Sequence, residues 1–163
     1  MAGIPIYRTA VQSEWIDYNG HLRDAYYGLI VSLATDALMD RVGLDADYRA
    51  RTGGTLYTLE LHLHYLQEIK STDTVDVTVR IAACDLKRIH AAFELGRTGE
   101  EALAATAEVM LMHVLQRDGH AGSAPFPPAV SEALAALAAD SANLQAGGPG
   151  SRQMQLPRPR GAS

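Results

Sequence analysis

An α+β domain is predicted, an antiparallel sheet wrapped around one long helix with a short helix near the C-terminal end. Three observations carry this. Residues 25–41 hold a broad apolar stripe at helical spacing, wide enough to need cover from a sheet. Four stretches after it are strand-like, the clearest alternating apolar with polar residues, and they are joined by short turn sequences, the pattern of an antiparallel meander. One further extended stretch precedes the helix. The chain has no internal repeat.

Taken in order, Ile6 to Ile16 is expected as a strand, with Tyr7, Thr9 and Val11 on one face. Asn19-Gly20 then marks a turn. Asp24 suits a helix N-cap, with Ala25 to Arg41 as the helix body. Its stripe is Leu29, Ile30, Leu33, Ala34, Ala37, Leu38 and Val42. Arg41 suits the negative end of the helix and Gly43 its stop. Leu44 to Gly53 is expected as a helical turn. The clearest strand follows, Thr55 to Glu68, where Leu59, Leu61, Leu63 and Tyr65 alternate with Thr58, Glu60, His62 and His64. A polar turn at Lys70 to Asp73 leads into alternating Val75, Val77, Val79 and Ile81. Turns at Asp85 to Arg88 and Thr98 to Glu101 set off strands over Ile89 to Arg97 and Ala102 to Arg117, the last ending at Asp118-Gly119. Pro125 to Pro128 breaks the pattern before a short Ala-rich helix, Val130 to Ala139. From Asp140 onward Gly, Pro, Ser and Gln dominate, so residues 140–163 are expected to be a disordered tail.

Composition narrows the function classes. A chain of 163 residues suits one domain with a substantial core. A net charge of -5 leaves no basic excess to neutralise phosphates and argues against a nucleic-acid partner. The single cysteine, Cys84, excludes an internal disulfide and, lying in an apolar run, is expected in the core. The opening Met1-Ala2-Gly3-Ile4-Pro5 does not resemble a signal peptide, and no apolar run is long enough for a bilayer, so a cytoplasmic protein without a membrane partner is expected.

The chemistry concentrates in Trp15 to Tyr27, where a carboxylate, an amide, a glycine, an imidazole and a second carboxylate fall between aromatics just before the helix. A carboxylate seven positions ahead of a helix start can fold back toward its free N–H groups, which favour developing negative charge. The plain alternative is a capped turn in which Asp17 and His21 bond loop backbone. The pattern Asp17-x-Asn19-Gly20-His21-Leu22-x-x-x-x-Tyr27 resembles the active-site loop of hotdog-fold acyl-CoA thioesterases, the 4-hydroxybenzoyl-CoA thioesterase-like group. The resemblance continues through Tyr57-Thr58-Leu59-Glu60, His64-Tyr65-Leu66, Ser71 to Asp73, Leu103 to Glu108 and Ser123 to Pro128, roughly residues 4–139. Within that group the pattern looks most like the betainyl-CoA thioesterases of carnitine breakdown.

The resemblance implies a hotdog domain over residues 1–139 and hydrolysis of a short acyl-CoA thioester, betainyl-CoA first and another short or aromatic acyl-CoA second. A non-catalytic acyl-CoA-binding module is the third option. It implies no cofactor beyond the coenzyme A of the substrate, and a homodimer or dimer of dimers with sites at the subunit interface. Asp17 is then the general base on water or the nucleophile, His21 its orienting partner or a contact to the carbonyl, and Asn19 a group that positions water or serves only the turn. Backbone N–H groups at Asp24 and Ala25 are the expected oxyanion donors. Many relatives carry Asn at positions 23 and 24, where this chain has Arg23 and Asp24, and an ionised Asp cannot donate.

Betaine bears a quaternary ammonium with no N–H, which proteins hold over aromatic faces. Trp15, Tyr18, Tyr26, Tyr27, Tyr57 and Tyr65 are candidates for such a cage, with Asp24 or Glu60 adding charge. Each tyrosine taken alone is as well explained by packing. Lys87 and Arg88, with His90, are candidates for coenzyme A phosphates, and Arg49 and Arg51 are rivals. The His62-x-His64 pair has no matching carboxylate or Cys cluster nearby, so no metal is expected.

Overall fold

The computed structural model describes residues 1–142 and residue 150. Its elements are β1 (Ile4–Ala10), a 3-10 turn (Ser13–Trp15), α1 (Asp24–Arg41), α2 (Ala46–Thr52), β2 (Gly54–Tyr65), β3 (Thr74–Cys84), β4 (Arg88–Arg97), β5 (Leu103–Arg117), β6 (His120–Ser123) and α3 (Pro128–Ser141). The helix α3 thus runs through Ser141. The rest of the expected tail, apart from Ala142 and residue 150, lies outside the described residues.

The first strand is shorter than expected and begins earlier. The Gln12 side chain donates to the carbonyl of Ala10 at 3.0 Å, and the Trp15 N–H donates to the carbonyl of Gln12 at 3.0 Å, so local bonds replace the ladder there. All strand pairs are antiparallel, in the order β1-β3-β4-β5-β2, with β6 on β5. Of the four strands expected after the helix, β3, β4 and β5 form the simple meander and β2 does not. The strand β2 lies at the far edge beside β5, from Gly54↔Leu115 to Tyr65↔Ala105. Residues 66–73 carry the chain back to β3. At ~3.3 Å per residue that crossing reaches about 26 Å, ample for three strand spacings of about 4.8 Å.

The sheet buries one face around α1. Val75, Val77, Val79 and Ile81 of β3, Ile89, Ala91, Phe93 and Leu95 of β4, and Ala105, Ala107, Val109 and Leu111 of β5 are all buried with Ile30, Ala34 and Leu38 of the helix. Large residues face small ones across the ladder, Ile81 opposite Ala91, Phe93 opposite Ala107 and Leu95 opposite Ala105, which makes room for the helix side chains. Each large side chain so buried contributes ~1.5–3 kcal/mol before entropy is counted. The helix stripe is rotated from the sequence expectation. Tyr27, Val31 and Met39 are buried, while Leu29 is exposed and Leu33 and Ala37 are half-buried. Val130, Leu134 and Leu137 join α3 to the same core.

Two further expectations are corrected. Cys84 is exposed, because a register shift between Ile81 and Ala83 carries the end of β3 beyond the core, where Ala82, Ala83 and Cys84 are all exposed. Asp118-Gly119 ends β5 but also turns it into β6. Both residues have positive φ, 51° and 78°, as a tight hairpin turn requires.

Candidate active site

The loop between the 3-10 turn and α1 folds as a small hairpin of its own. The Asp17 N–H donates to His21 O at 2.9 Å, Gly20 N–H to Asp17 O at 3.1 Å, and Arg23 N–H to Trp15 O at 2.9 Å. Gly20 takes φ +83°, a left-handed value that side chains with a Cβ resist. The Asp17 carboxylate closes the turn from inside: its Oδ1 accepts from Asn19 N–H at 2.8 Å and from His21 N–H at 3.1 Å. These donors hold the carboxyl below its usual range, the His21 N–H contributing most. Asp17 is therefore ionised at neutral pH. Both bonds fall on Oδ1, so the turn and any reaction at Oδ2 use different oxygens.

The segment after β2 forms the opposite wall. Leu22 N–H donates to Ile69 O at 2.7 Å and His21 bridges to Lys70, which ties this wall to the hairpin. The Tyr27 hydroxyl donates to Gln67 O at 3.3 Å, and Arg97 holds the Gln67 side chain at 2.9 Å. The His21 Nε2 lies 3.1 Å from Glu68 Oε2. Between the walls is an open cleft of 410 Å³ lined by Asp17, Asn19, His21, Leu22, Asp24, Tyr27, Tyr65, Leu66, Gln67 and Glu68. The rings of Tyr27 and Tyr65 meet edge to face, 5.2 Å apart at 84°. Burial pushes both phenols above their usual range, and the Asp24 charge adds to the shift of Tyr65, so both stay protonated donors.

Asp24 is the first residue of α1 and Arg23 occupies the cap position, without a side-chain cap. The Asp24 carboxylate accepts from the Ala25 N–H at 2.9 Å. A carboxylate thus already sits on one of the two amides singled out from the sequence as oxyanion donors, the place where developing negative charge would be received. Tyr65 reaches the Asp24 carbonyl with its hydroxyl at 3.3 Å.

The structure brings together Asp17, Asn19, His21, Asp24, Tyr27 and Tyr65 from the sequence-derived set. It places the others elsewhere. Trp15 and Tyr26 stack on each other at 5.7 Å and lean on the core, and Tyr18 is 95% exposed at the hairpin tip. Tyr57 accepts from Gln116 on β5, and Glu60 pairs with His62 on its own strand. Lys87 donates to Ser123 and Arg88 to Asp85 at the β3–β4 turn; neither lines the cleft. Among the described residues no three His, Cys, Asp or Glu side chains gather as a metal site. Glu68 and Gln67 are cleft residues that the motif did not single out. Their sequence signal is position at the end of the β2 pattern and, for Glu68, an acidic side chain just beyond Tyr65; the tie between Leu22 and Ile69 is what swings them into the site.

Comparison with known proteins follows the same line. The family model for the thioesterase-like superfamily matches residues 11–134. A betainyl-CoA thioesterase of Pseudomonas aeruginosa is 46% identical over 132 residues, 81% of this chain and 82% of that protein. An L-carnitine dehydrogenase/betainyl-CoA thioesterase of Agrobacterium fabrum is 38% identical over 146 residues, 88% of this chain and 28% of its own length. Among solved structures, a protein of Pseudomonas putida KT2440 superposes with a TM-score of 0.84 at 43% identity, over 97% of this chain and 99% of that one. A Staphylococcus aureus protein solved in complex with CoA superposes with a TM-score of 0.82 at 30% identity, over 96% and 98%.

Proposed function

This chain belongs to the thioesterase-like superfamily and is an acyl-CoA thioesterase with a hotdog fold, and from that premise we propose that it hydrolyses betainyl-CoA to glycine betaine and free CoA. The observation that carries the substrate is the charge of the cleft. Asp17, Asp24 and Glu68 line it, and among the described residues no Lys or Arg does. Carboxylates at the cleft favour an acyl group that carries a compensating cation and gain nothing from a neutral one, while the coenzyme A phosphates, common to every acyl-CoA, lie a whole pantetheine arm away. A trimethylammonium is such a cation. Tyr65, half exposed and braced edge to face by the buried Tyr27, supplies the aromatic surface such a group needs. The name of the Pseudomonas aeruginosa relative, at 46% identity, supports the same substrate.

In the proposed reaction Asp17 acts through Oδ2. As general base it takes a proton from water while the water oxygen attacks the thioester carbonyl. The tetrahedral intermediate then expels CoA thiolate, which takes up a proton as the free thiol. As nucleophile, Oδ2 itself forms an acyl anhydride with loss of CoA, and water then cleaves that anhydride. A single turnover in ¹⁸O-water labels the Asp17 side chain only if water opens an anhydride at the Asp17 carbonyl, and hydroxylamine trapping of the acyl group reports the anhydride whichever carbonyl water attacks. The amides at the start of α1 receive the oxyanion once Asp24 gives up the Ala25 N–H to it.

A second copy of the chain is the proposed partner. The strand β2 has only β5 beside it and exposes Leu59 (51%) and Leu61 (43%). An exposed apolar strand edge is a template for pairing, and Tyr65 at the end of β2 would bring a pairing copy to the mouth of the cleft. Two measurements test the whole assignment. Free-thiol release across betainyl-, acetyl-, butyryl- and benzoyl-CoA should rank betainyl first; a flat profile or an aromatic preference overturns the substrate. Light scattering should give at least twice the chain mass, and a monomer that hydrolyses at full rate overturns the pairing.

A further inference from the structure

We propose that the carboxylate of Glu68 is the charge that selects a cationic acyl group over a neutral one of the same shape, an inference that rests on the betainyl-CoA reading above. The three cleft carboxylates are not equivalent. Asp17 is bound through Oδ1 to the Asn19 and His21 amides and is reserved for the reacting carbonyl. Asp24 lies against the Ala25 N–H at 2.9 Å, at the positive end of α1, where the helix offsets much of its charge. Glu68 has neither form of compensation. Its side chain is 70% exposed, and among the described residues its polar contact is one ring nitrogen, His21 Nε2 on Oε2 at 3.1 Å. It therefore carries the least compensated negative charge at the cleft.

Its surroundings suit a quaternary ammonium. Such a group has no N–H and is recognised only by charge at van der Waals distance and by aromatic faces. Two residues before the crossing segment's Gln67 stands Tyr65, half exposed, with its hydroxyl bonded to the Asp24 carbonyl and its ring braced by Tyr27. The wall that carries Glu68 is held to the hairpin at Leu22 by a 2.7 Å bond, so its backbone position relative to Asp17 is set by the fold. In betainyl thioesters a single methylene separates the ammonium from the carbonyl. A group that meets the ammonium must then stand close to the one that attacks the carbonyl, and Glu68 and Asp17 border one cleft.

A competing role is that Glu68 merely positions His21. That role would slow every acyl-CoA alike, so the test compares betainyl-CoA with its neutral carbon isostere, 3,3-dimethylbutyryl-CoA, on the full chain. The wild type should favour the cation in kcat/KM. Glu68→Gln should lower the betainyl-to-isostere ratio about tenfold, mainly through KM, and Glu68→Lys should lower it further. Melting of both variants near the wild-type temperature excludes a folding defect, and Glu68→Gln alone decides if Glu68→Lys does not fold. A ratio unchanged in Glu68→Gln, with both substrates slowed equally, overturns the selection role and leaves the substrate standing. A wild-type ratio near one overturns both.

Discussion

Asp17 and Asp85 are built by the same local rule and end in opposite roles. Each is an Asp whose Oδ1 accepts two backbone N–H groups from its own turn: Asn19 and His21 in one case, Lys87 and Arg88 in the other. Both carboxyls are held below their usual range, Asp85 to about 2. They differ at the second oxygen. Asp85 Oδ2 takes two bonds from the Arg88 guanidinium, at 2.8 and 2.6 Å. Asp17 lines the cleft instead. A turn motif alone thus does not announce a reactive carboxylate; what closes or leaves open its remaining oxygen does.

The largest test of that contrast is Asp17→Asn. The amide oxygen can still accept from both N–H groups, so the turn persists while the charge and basicity go. Thiol release should fall about 1,000-fold, within the usual range for a lost general base, with at most a small fall in melting temperature from the lost charge on the turn amides. The same donors give the pH sign. They favour the charged form, so Asp17 gains its proton only below the ordinary carboxyl value of 3.8. Any loss of kcat/KM that Asp17 causes on acidification should therefore appear below that pH, and an inflection near neutrality belongs to another group.

His113 extends the comparison to the far side of the domain. Its ring is 1% exposed. The Ala124 carbonyl, 2.9 Å from Nδ1, can only accept, so Nδ1 carries the proton and Nε2 receives the Tyr48 hydroxyl at 2.9 Å. Every polar atom of that ring is matched by the fold, whereas the His21 ring ends on an exposed Glu68. His113→Ala should cost about 3 kcal/mol of stability, from the cavity and from Tyr48 left without its partner, and should leave kcat of the folded enzyme within about threefold. Chemical denaturation and thiol release on the same sample separate the two. A fall in kcat without a fall in stability would dissolve the distinction between the two histidines. His21→Ala is the milder counterpart. Asp17 is held by the His21 backbone N–H, which alanine also supplies, so the turn should survive and kcat/KM should fall only about tenfold.

The architecture was legible because its signals are local and repetitive. The α1 periodicity, the alternation of β2 and β3, and the Asn19-Gly20 turn each appear within a dozen residues and each corresponds to an observed element. The loop motif likewise led to Asp17, His21, Asp24 and Tyr27, and the later match at His64-Tyr65-Leu66 to Tyr65, which the structure gathers at one cleft. What stayed illegible depends on long-range pairing. The placement of β2 beside β5 and the tie of Leu22 to Ile69 are contacts between distant segments. Without them Glu68 is a polar strand end, Trp15 and Tyr26 are free to be imagined in a cage, and Cys84 is assigned to a core that β3 outruns. Betainyl selectivity, argued from tyrosines in sequence, shifts in the structure toward Tyr27, Tyr65 and the carboxylates around them.

Asp85 gives the smallest effect and the cleanest control. Its pKa of about 2 lies below the value of 3.8 it has when unfolded, so its charge stabilises the folded chain fully above pH 4. That stabilisation should decline as pH falls from 4 to 2 and be absent below 2. Asp85→Asn keeps an oxygen for the Lys87 and Arg88 amides but loses the ion pair. The melting temperatures of wild type and Asp85→Asn should therefore differ by a small, constant amount above pH 4, converge between pH 4 and 2, and differ less in high salt, since the pair is exposed. Activity at neutral pH should not change, because Arg88 already occupies the oxygen that corresponds to the one proposed to react at Asp17. If Asp85→Asn instead lowered thiol release as Asp17→Asn does, the β3–β4 turn would have to reach a cleft on a second copy, and the difference between the two carboxylates would lie in the assembly rather than in which oxygen is closed.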